Sequence, residues 1–258
     1  MDNLPSARRS TTGLLFRRAS LVLGVGAAAF AIVTATDTRA AVHKALMPLL
    51  HGLDPETSHR LSIAAAKWRL APREWVSPDP HARLATNVLG LALDSPLGVA
   101  AGFDKHGEAV DALLAMGFGL VELGSVTPLP QDGNPKPRFF RLPQDNAVIN
   151  RYGFNSDGHA AVAKRLALRL SSFLISNYPS TRGQLPPSIP FALVPQKALG
   201  INLGKNKLSL PDDNTDYVKG VSTLGQYADY IVVNISSPNT PGLRSLQRRE
   251  PMLKLMNE

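Results

Sequence analysis

The 258-residue chain is 44% hydrophobic, enough to bury a substantial core as one large domain or two smaller ones. It has no cysteine, which excludes a disulfide framework, a thiolate metal site and a cysteine nucleophile, and leaves the redox compartment unread. The 28 Lys+Arg against 20 Asp+Glu give a net charge of +8, but four of the arginines (Arg8, Arg9, Arg17 and Arg18) crowd the N-terminus and the other basic residues are dispersed. Without a basic stripe and interleaved aromatics, no nucleic-acid partner is expected.

Residues 1–18 are rich in arginine, serine and threonine, and no acidic residue stands between Asp2 and Asp37, the composition of a mitochondrial targeting leader. Residues 19–36 are uncharged and rich in Ala, Val and Gly, and approach the roughly 20 residues that span a bilayer. They read as a single transmembrane anchor; a secretory signal ending at "TATDTRA" is the rival. Residues 41–71 carry apolar residues at helical spacing, broken by Pro48 and by Asp54-Pro55, and predict two short amphipathic helices that pack on the next domain or lie in the membrane interface.

A proline-rich connector at 72–80 leads into the main domain, residues 82–258. Leu84 to Leu93 predicts a small hairpin. Strands are expected at Leu97–Ala101, Leu120–Val126, Leu199–Leu203 and Tyr230–Ser236, and helices at Gly107–Met116, Gly158–Leu174 and Thr215–Gly225. Residues 127–150 form an insertion in which "RFFRLPQDNAVIN" predicts an added hairpin, and 175–198 reads as a Pro-rich surface loop outside the core. Strand and helix alternation calls for an α/β fold with a parallel sheet and helical crossovers.

The polar stretches follow the strands: "AAGFDK" the first, "GSVTP" the second, "NLGKNK" the third and "NISSPNT" the fourth. The C-terminal ends of parallel strands are where both TIM barrels and open doubly wound sheets build their sites. Alone, Ser-Pro-Asn is a common turn; repeated at four strand ends, such residues point to a site.

The stretches "GVAAGFDKHGEAVDALLAMGFGLVELGSVTP", "NPKPRFFRLPQDNAVINRYGFNSDG", "GINLGKNK" and "ADYIVVNISSPNTPGLRSLQ" resemble the membrane-associated, quinone-dependent class of dihydroorotate dehydrogenase, colinearly over about residues 42–255. The resemblance implies a TIM (β/α)8 barrel, preceded here by the anchor and a two-helix membrane-associated module. It implies FMN as hydride acceptor, dihydroorotate as substrate, orotate as product, ubiquinone as final electron acceptor and inner-membrane lipid as surroundings, with no metal. Ala100, Ala101 and Gly102 match the loop against the flavin, where small residues let backbone approach a flat ring. Ser125, Asn150, Asn202 and Asn234 match positions where polar side chains meet flavin or substrate, each Asn offering donors and an acceptor to imide edges.

Ser237 matches the catalytic base, and Thr240 and Phe154 the proton-relay and gating positions. Lys105 matches the cation near substrate carboxylate and flavin; Asn150, Arg151, Tyr152, Gly153, Phe154, Asn234 and Asn239 match the substrate-binding positions. The soluble class uses cysteine as base, and the absence of cysteine favours serine independently. Met47, Leu50, His59 and Ser62, with Arg141 from the insertion, match the mouth of a quinone tunnel. A full barrel has eight strand and helix units, whereas four strands are expected here, with "RREPMLKLMNE" opening a fourth helix. The expectation is a C-terminally truncated barrel, inactive by itself. The alternatives are a non-catalytic half-barrel that self-associates at the membrane and another FMN-dependent barrel oxidoreductase.

Overall fold

The computed structural model describes residues 47–73 and 84–258 other than 182, 211 and 241, together with residue 24. The expected leader, most of the connector and, residue 24 aside, the expected anchor lie outside the described residues. Among the described residues no helix is long and apolar enough to cross a membrane.

Residues 47–51 are helical, Pro48 included, and α1 (Pro55–Lys67) follows after a break that the local sequence dictates. The Asp54 carboxylate accepts the Thr57 amide at 2.8 Å, and Pro55 opens the helix where a missing N–H costs no hydrogen bond. The next element is an antiparallel hairpin of β1 (Thr86–Val88) and β2 (Leu91–Leu93). Its turn residues Leu89 and Gly90 have φ of 53° and 80°, the left-handed pair of a two-residue hairpin turn.

Strand–helix alternation then begins with β3 (Gly98–Val99), α2 (Val110–Ala115) and β4 (Leu120–Val126). The insertion forms the hairpin β5 (Phe139–Leu142) and β6 (Ala147–Asn150). After it come α3 (His159–Asn177), β7 (Ala198–Leu203), α4 (Thr215–Leu224), β8 (Tyr230–Val233) and α5 (Arg249–Asn257). The four main strands pair in parallel in the order β3-β4-β7-β8, with β3 and β8 at the edges.

Side chains alternate between the two faces of each strand. Val121 and Leu123 of β4 and Leu199, Ile201 and Leu203 of β7 join one buried cluster with Leu113, Leu114, Val162, Leu166, Tyr217 and Leu224 from the helices. Each such side chain contributes about 1.5–3 kcal/mol on burial, so this face holds the sheet. The other face carries Glu122, Asn202 and Tyr230 and is free for a site.

One expectation is corrected. The segment at 175–198 is not a surface loop throughout: α3 runs on to Asn177, and Ala192 is fully buried with Leu193 at 9% exposure. The cause is Asp229, whose carboxylate accepts the amides of Phe191, Ala192 and Leu199 at 2.7, 2.9 and 2.8 Å, while Arg169 donates to the carbonyls of Phe191 and Ala192. One carboxylate thus ties the returning chain to β7 and satisfies backbone donors that would otherwise be buried unpaired. The edge strands are shorter than expected: β3 spans two residues and β8 stops at Val233.

Candidate active site

The turn after β3 is built by Asp104, which is 1% exposed and accepts the amides of His106, Glu108 and Ala109 at 3.3, 2.9 and 2.7 Å. The Gly102 amide donates to the Gly124 carbonyl at 2.9 Å and the Gly124 amide to the Asp104 carbonyl at 3.0 Å, which holds this turn against β4. Gly102 has φ of +116°, and a Cβ at this position would meet nothing within 4 Å. Its backbone therefore faces open space, in a conformation that residues bearing a side chain avoid.

An open cleft of about 710 Å³ lies over the strand ends. It collects Met47, Leu50, His59 and Ser62 from the N-terminal helices, Ala100, Ala101, Gly102 and Lys105 after β3, Ser125 from β4, and Arg141 and Asn150 from the insertion. Tyr152, Gly153, Phe154, Asn202, Asn234, Ser237 and Asn239 line it too. Two expected residues do not line it. Arg151 donates twice to the Pro137 carbonyl, at 3.2 and 2.9 Å, and lies over the Phe140 ring; Thr240 sits one residue beyond the lining loop.

Within the cleft the polar groups form a continuous network. Ser125 Oγ donates to Asn202 Oδ1 at 2.5 Å, and Asn234 Nδ2 donates to Ser125 Oγ and Asn202 Oδ1 at 3.0 and 3.2 Å. Asn234 Oδ1 accepts the Ser236 amide at 3.1 Å and its hydroxyl at 3.2 Å, which anchors the loop that carries Ser237. Ser237 Oγ accepts the Asn239 amide at 3.3 Å.

Lys105 places its ammonium 4.3 Å from the Tyr152 ring centroid and has no hydrogen-bond acceptor among the described residues. Burial, reinforced by the Arg138 guanidinium and partly opposed by Glu56, pushes it down to about 8. The Tyr152 hydroxyl is buried without a partner among the described residues, and burial pushes it up to about 12. His59 Nε2 meets the Phe103 carbonyl at 2.7 Å; a carbonyl only accepts, so Nε2 carries the proton. Burial, the largest influence on His59, lowers its pKa and favours the neutral ring.

Arg141 donates to the carbonyls of Leu50, His51 and Leu53 and to Ser58 Oγ, all within 3.3 Å. It therefore satisfies the carbonyls at the end of the first helical segment as well as lining the cleft. Phe154 has φ of +56°, rare for a bulky side chain, and Gln131 Nε2 holds its carbonyl at 2.8 Å. Sequence reasoning missed Glu122, Ser58, Phe103 and Asn155, which also line the cleft. Among the described residues no cluster of three His, Asp or Glu side chains is arranged to hold a metal ion.

The model of the dihydroorotate dehydrogenase family matches residues 83–258. The chain belongs to the dihydroorotate dehydrogenase family. The "Dihydroorotate dehydrogenase (quinone), mitochondrial" of Schizosaccharomyces pombe is 46% identical over 248 residues, covering 91% of this chain and 55% of the relative. Its counterpart of the same name in Mus musculus is 49% identical over 242 residues, covering 93% and 56%. The ligand-free DHODH of Eimeria tenella superposes with a TM-score of 0.68 at 41% identity, over 79% of this chain and 52% of that one. The same protein in complex with ferulenol gives a TM-score of 0.67 at 39% identity, covering 81% and 52%. These dihydroorotate dehydrogenase structures assign the parallel α/β sheet to the TIM-barrel family. The chain spans about half the length of the curated relatives it matches.

Proposed function

We propose that this chain supplies the substrate and flavin face of a quinone-dependent dihydroorotate dehydrogenase, which oxidises dihydroorotate to orotate in pyrimidine synthesis. In this reading β3, β4, β7 and β8 with their helices are the first four units of the barrel, and the helices at 47–51 and α1 border the quinone entrance. The anchor at 19–36 holds the protein in the mitochondrial inner membrane with a single span, against lipid. The observation that carries the reading is the convergence of the Ser125–Asn202–Asn234 network, the Lys105 ammonium over Tyr152 and the Ser237 loop on one cleft.

The residues fit FMN on two counts. Ala100, Ala101 and Gly102 leave room for close approach of a flat ring, and the Asn and Ser side chains offer mixed donors and acceptors to its imide edge. When bound, FMN would supply the acceptor for the hydride that leaves C6 of dihydroorotate, and ubiquinone would be the final electron acceptor. Ser237 takes the proton from C5 of dihydroorotate; a hydroxyl is a poor base alone, and the Asn239 amide at 3.3 Å stabilises charge developing on Oγ. Lys105 holds the substrate carboxylate, Asn150, Asn234 and Asn239 orient the pyrimidine amides, and Tyr152, Gly153 and Phe154 cover the ring, with Arg151 shaping that segment from behind. Thr240 relays the proton onward. Met47, Leu50, His59, Ser62 and Arg141 border the quinone path.

The test joins this chain at Glu258 to the remaining C-terminal portion of the Mus musculus relative. Expected is an FMN-containing chimera that reduces quinone with dihydroorotate, and a Ser237→Ala version slowed roughly 100-fold to 10,000-fold, the usual contribution of a positioned base. A chimera that retains FMN but leaves dihydroorotate untouched would overturn the reading. The chain alone is expected to show no turnover.

A further inference from the structure

Glu122 is a carboxylate on the helix-free face of β4, between the buried Val121 and Leu123. It lines the cleft and stands opposite Gly200 in the register with β7, and Gly200 in turn stands opposite Tyr230 of β8. A Cβ on Gly200 would fall 2.2 Å from the Tyr230 ring, so the glycine exists to let that ring lie across β7 toward Glu122. Burial, with the charge of Glu122 second, pushes the Tyr230 hydroxyl up to about 12, keeping it a donor.

The second contact of Glu122 decides the chemistry of the cleft. Asn202 Nδ2 donates to Glu122 Oε1 at 2.8 Å. A carboxylate accepts and does not donate, so the Asn202 amide has one permitted orientation. Its Oδ1 then faces Ser125 Oγ at 2.5 Å and Asn234 Nδ2 at 3.2 Å, while the Ser236 amide, which only donates, holds Asn234 Oδ1 at 3.1 Å from the other end of the chain of contacts. Reversing Asn202 would set its NH2 against the Asn234 NH2.

We infer that Glu122 is a positioning residue which, through Asn202 and together with the Ser236 amide beyond Asn234, fixes the donor and acceptor polarity of Ser125 and Asn234 toward an imide-bearing ring. This rests on the flavin and pyrimidine reading of the cleft for its ligand but not for the coupling. Glutamine in its place keeps size and shape while accepting either Asn202 orientation, so the array is held from the Ser236 end alone.

The experiment follows the side-chain amide resonances of the purified 258-residue chain by NMR in wild type, Glu122→Gln and Asn202→Ala, with the urea midpoint as a folding control. In Glu122→Gln the amide signals of both Asn202 and Asn234 are expected to move, although Glu122 does not touch Asn234, with the midpoint unchanged. Movement of Asn202 alone, or a fall in midpoint that accounts for the shifts, would overturn the inference. FMN is then added to each form. Wild type is expected to shift at both amides, and Glu122→Gln to need roughly 10-fold more FMN, as for a lost hydrogen bond to a charged group. In the Asn202→Ala background, Glu122→Gln is expected to add about nothing to that loss; an equal loss in both backgrounds counts against action through Asn202. Absence of FMN both from the wild-type chain and from the chimera with the Mus musculus portion sinks the flavin reading of the cleft, while the coupling between the two amides is judged separately by the ligand-free spectra.

Discussion

Lys105 illustrates how one side chain can be read twice. In the sequence it begins a helical stretch and has the look of a surface lysine; in the structure it is largely buried, its ammonium over the Tyr152 ring and without an acceptor among the described residues. Burial lowers it to about 8, so the unliganded group loses its proton over an accessible range, and an anionic ligand that needs the cation binds best below that. Orotate affinity for the FMN-loaded chimera is therefore expected to be flat below about pH 8, to fall by up to roughly 10-fold per pH unit above it, and to level off at the higher pKa of the liganded lysine. Lys105→Gln should bind weakly at every pH with no alkaline limb, as calorimetric titration from acid to alkaline buffer would show; a persistent limb would assign the titration to another group. The strand-end asparagines and Ser237 were legible in the sequence because each follows an apolar run. Glu122 was not, because a single carboxylate inside "LVELG" reads as the solvent side of an alternating strand until the sheet's second face is known to carry a cleft.

At the scale of elements, the hairpin β5–β6 is fastened to α1 by a buried ion pair. Arg138, 7% exposed, donates to Glu56 from Nη2 at 2.8 Å and from Nε at 3.1 Å, and Lys136 adds a contact at 3.2 Å. The Arg138 hydrogen bonds, opposed by burial, hold the Glu56 carboxyl below its ordinary 4.5. Its contribution is thus present above about pH 4.5 and is lost as pH falls through the lowered value. Arg138→Met strands a carboxylate with only an exposed lysine for company and is expected to cost about 3 kcal/mol in urea unfolding at neutral pH, with the loss shrinking in acid. A cost that is the same at acid and neutral pH would mean that packing rather than charge joins the two elements. The strands themselves show what patterning can and cannot give. β4, paired on both sides, matches the expected Leu120–Val126, whereas β3 and β8, each paired on one side, are shorter than their apolar runs. The long-range tie from Asp229 to Phe191 and Ala192 has no local signal, which is why residues 175–198 read as surface.

At the scale of the whole molecule, the described sheet is parallel, covered by helices on one face and open on the other, with β3 and β8 as its edges. Parallel sheets are ordinarily covered on both faces and their edges paired or protected. Here neither edge has a partner strand among the described residues, and β8 is only half-buried along its length. The chain in isolation is therefore expected to associate through these edges, giving a light-scattering mass above the monomer that rises with concentration. Val232 lies on the open face of β8, opposite Asn202 in the register, and Val232→Lys sets a charge where a second strand would dock. That substitution should return the mass toward the monomer while leaving the cluster of Val121, Leu123, Leu199 and Ile201 untouched, because it projects from the other face. Supplying the remaining portion of the Mus musculus relative as a separate polypeptide should have the same effect by a different route, since a partner that completes the sheet competes with a second copy for the same two edges. A wild-type chain that stays monomeric at high concentration would show that its edges are already protected by residues outside those described.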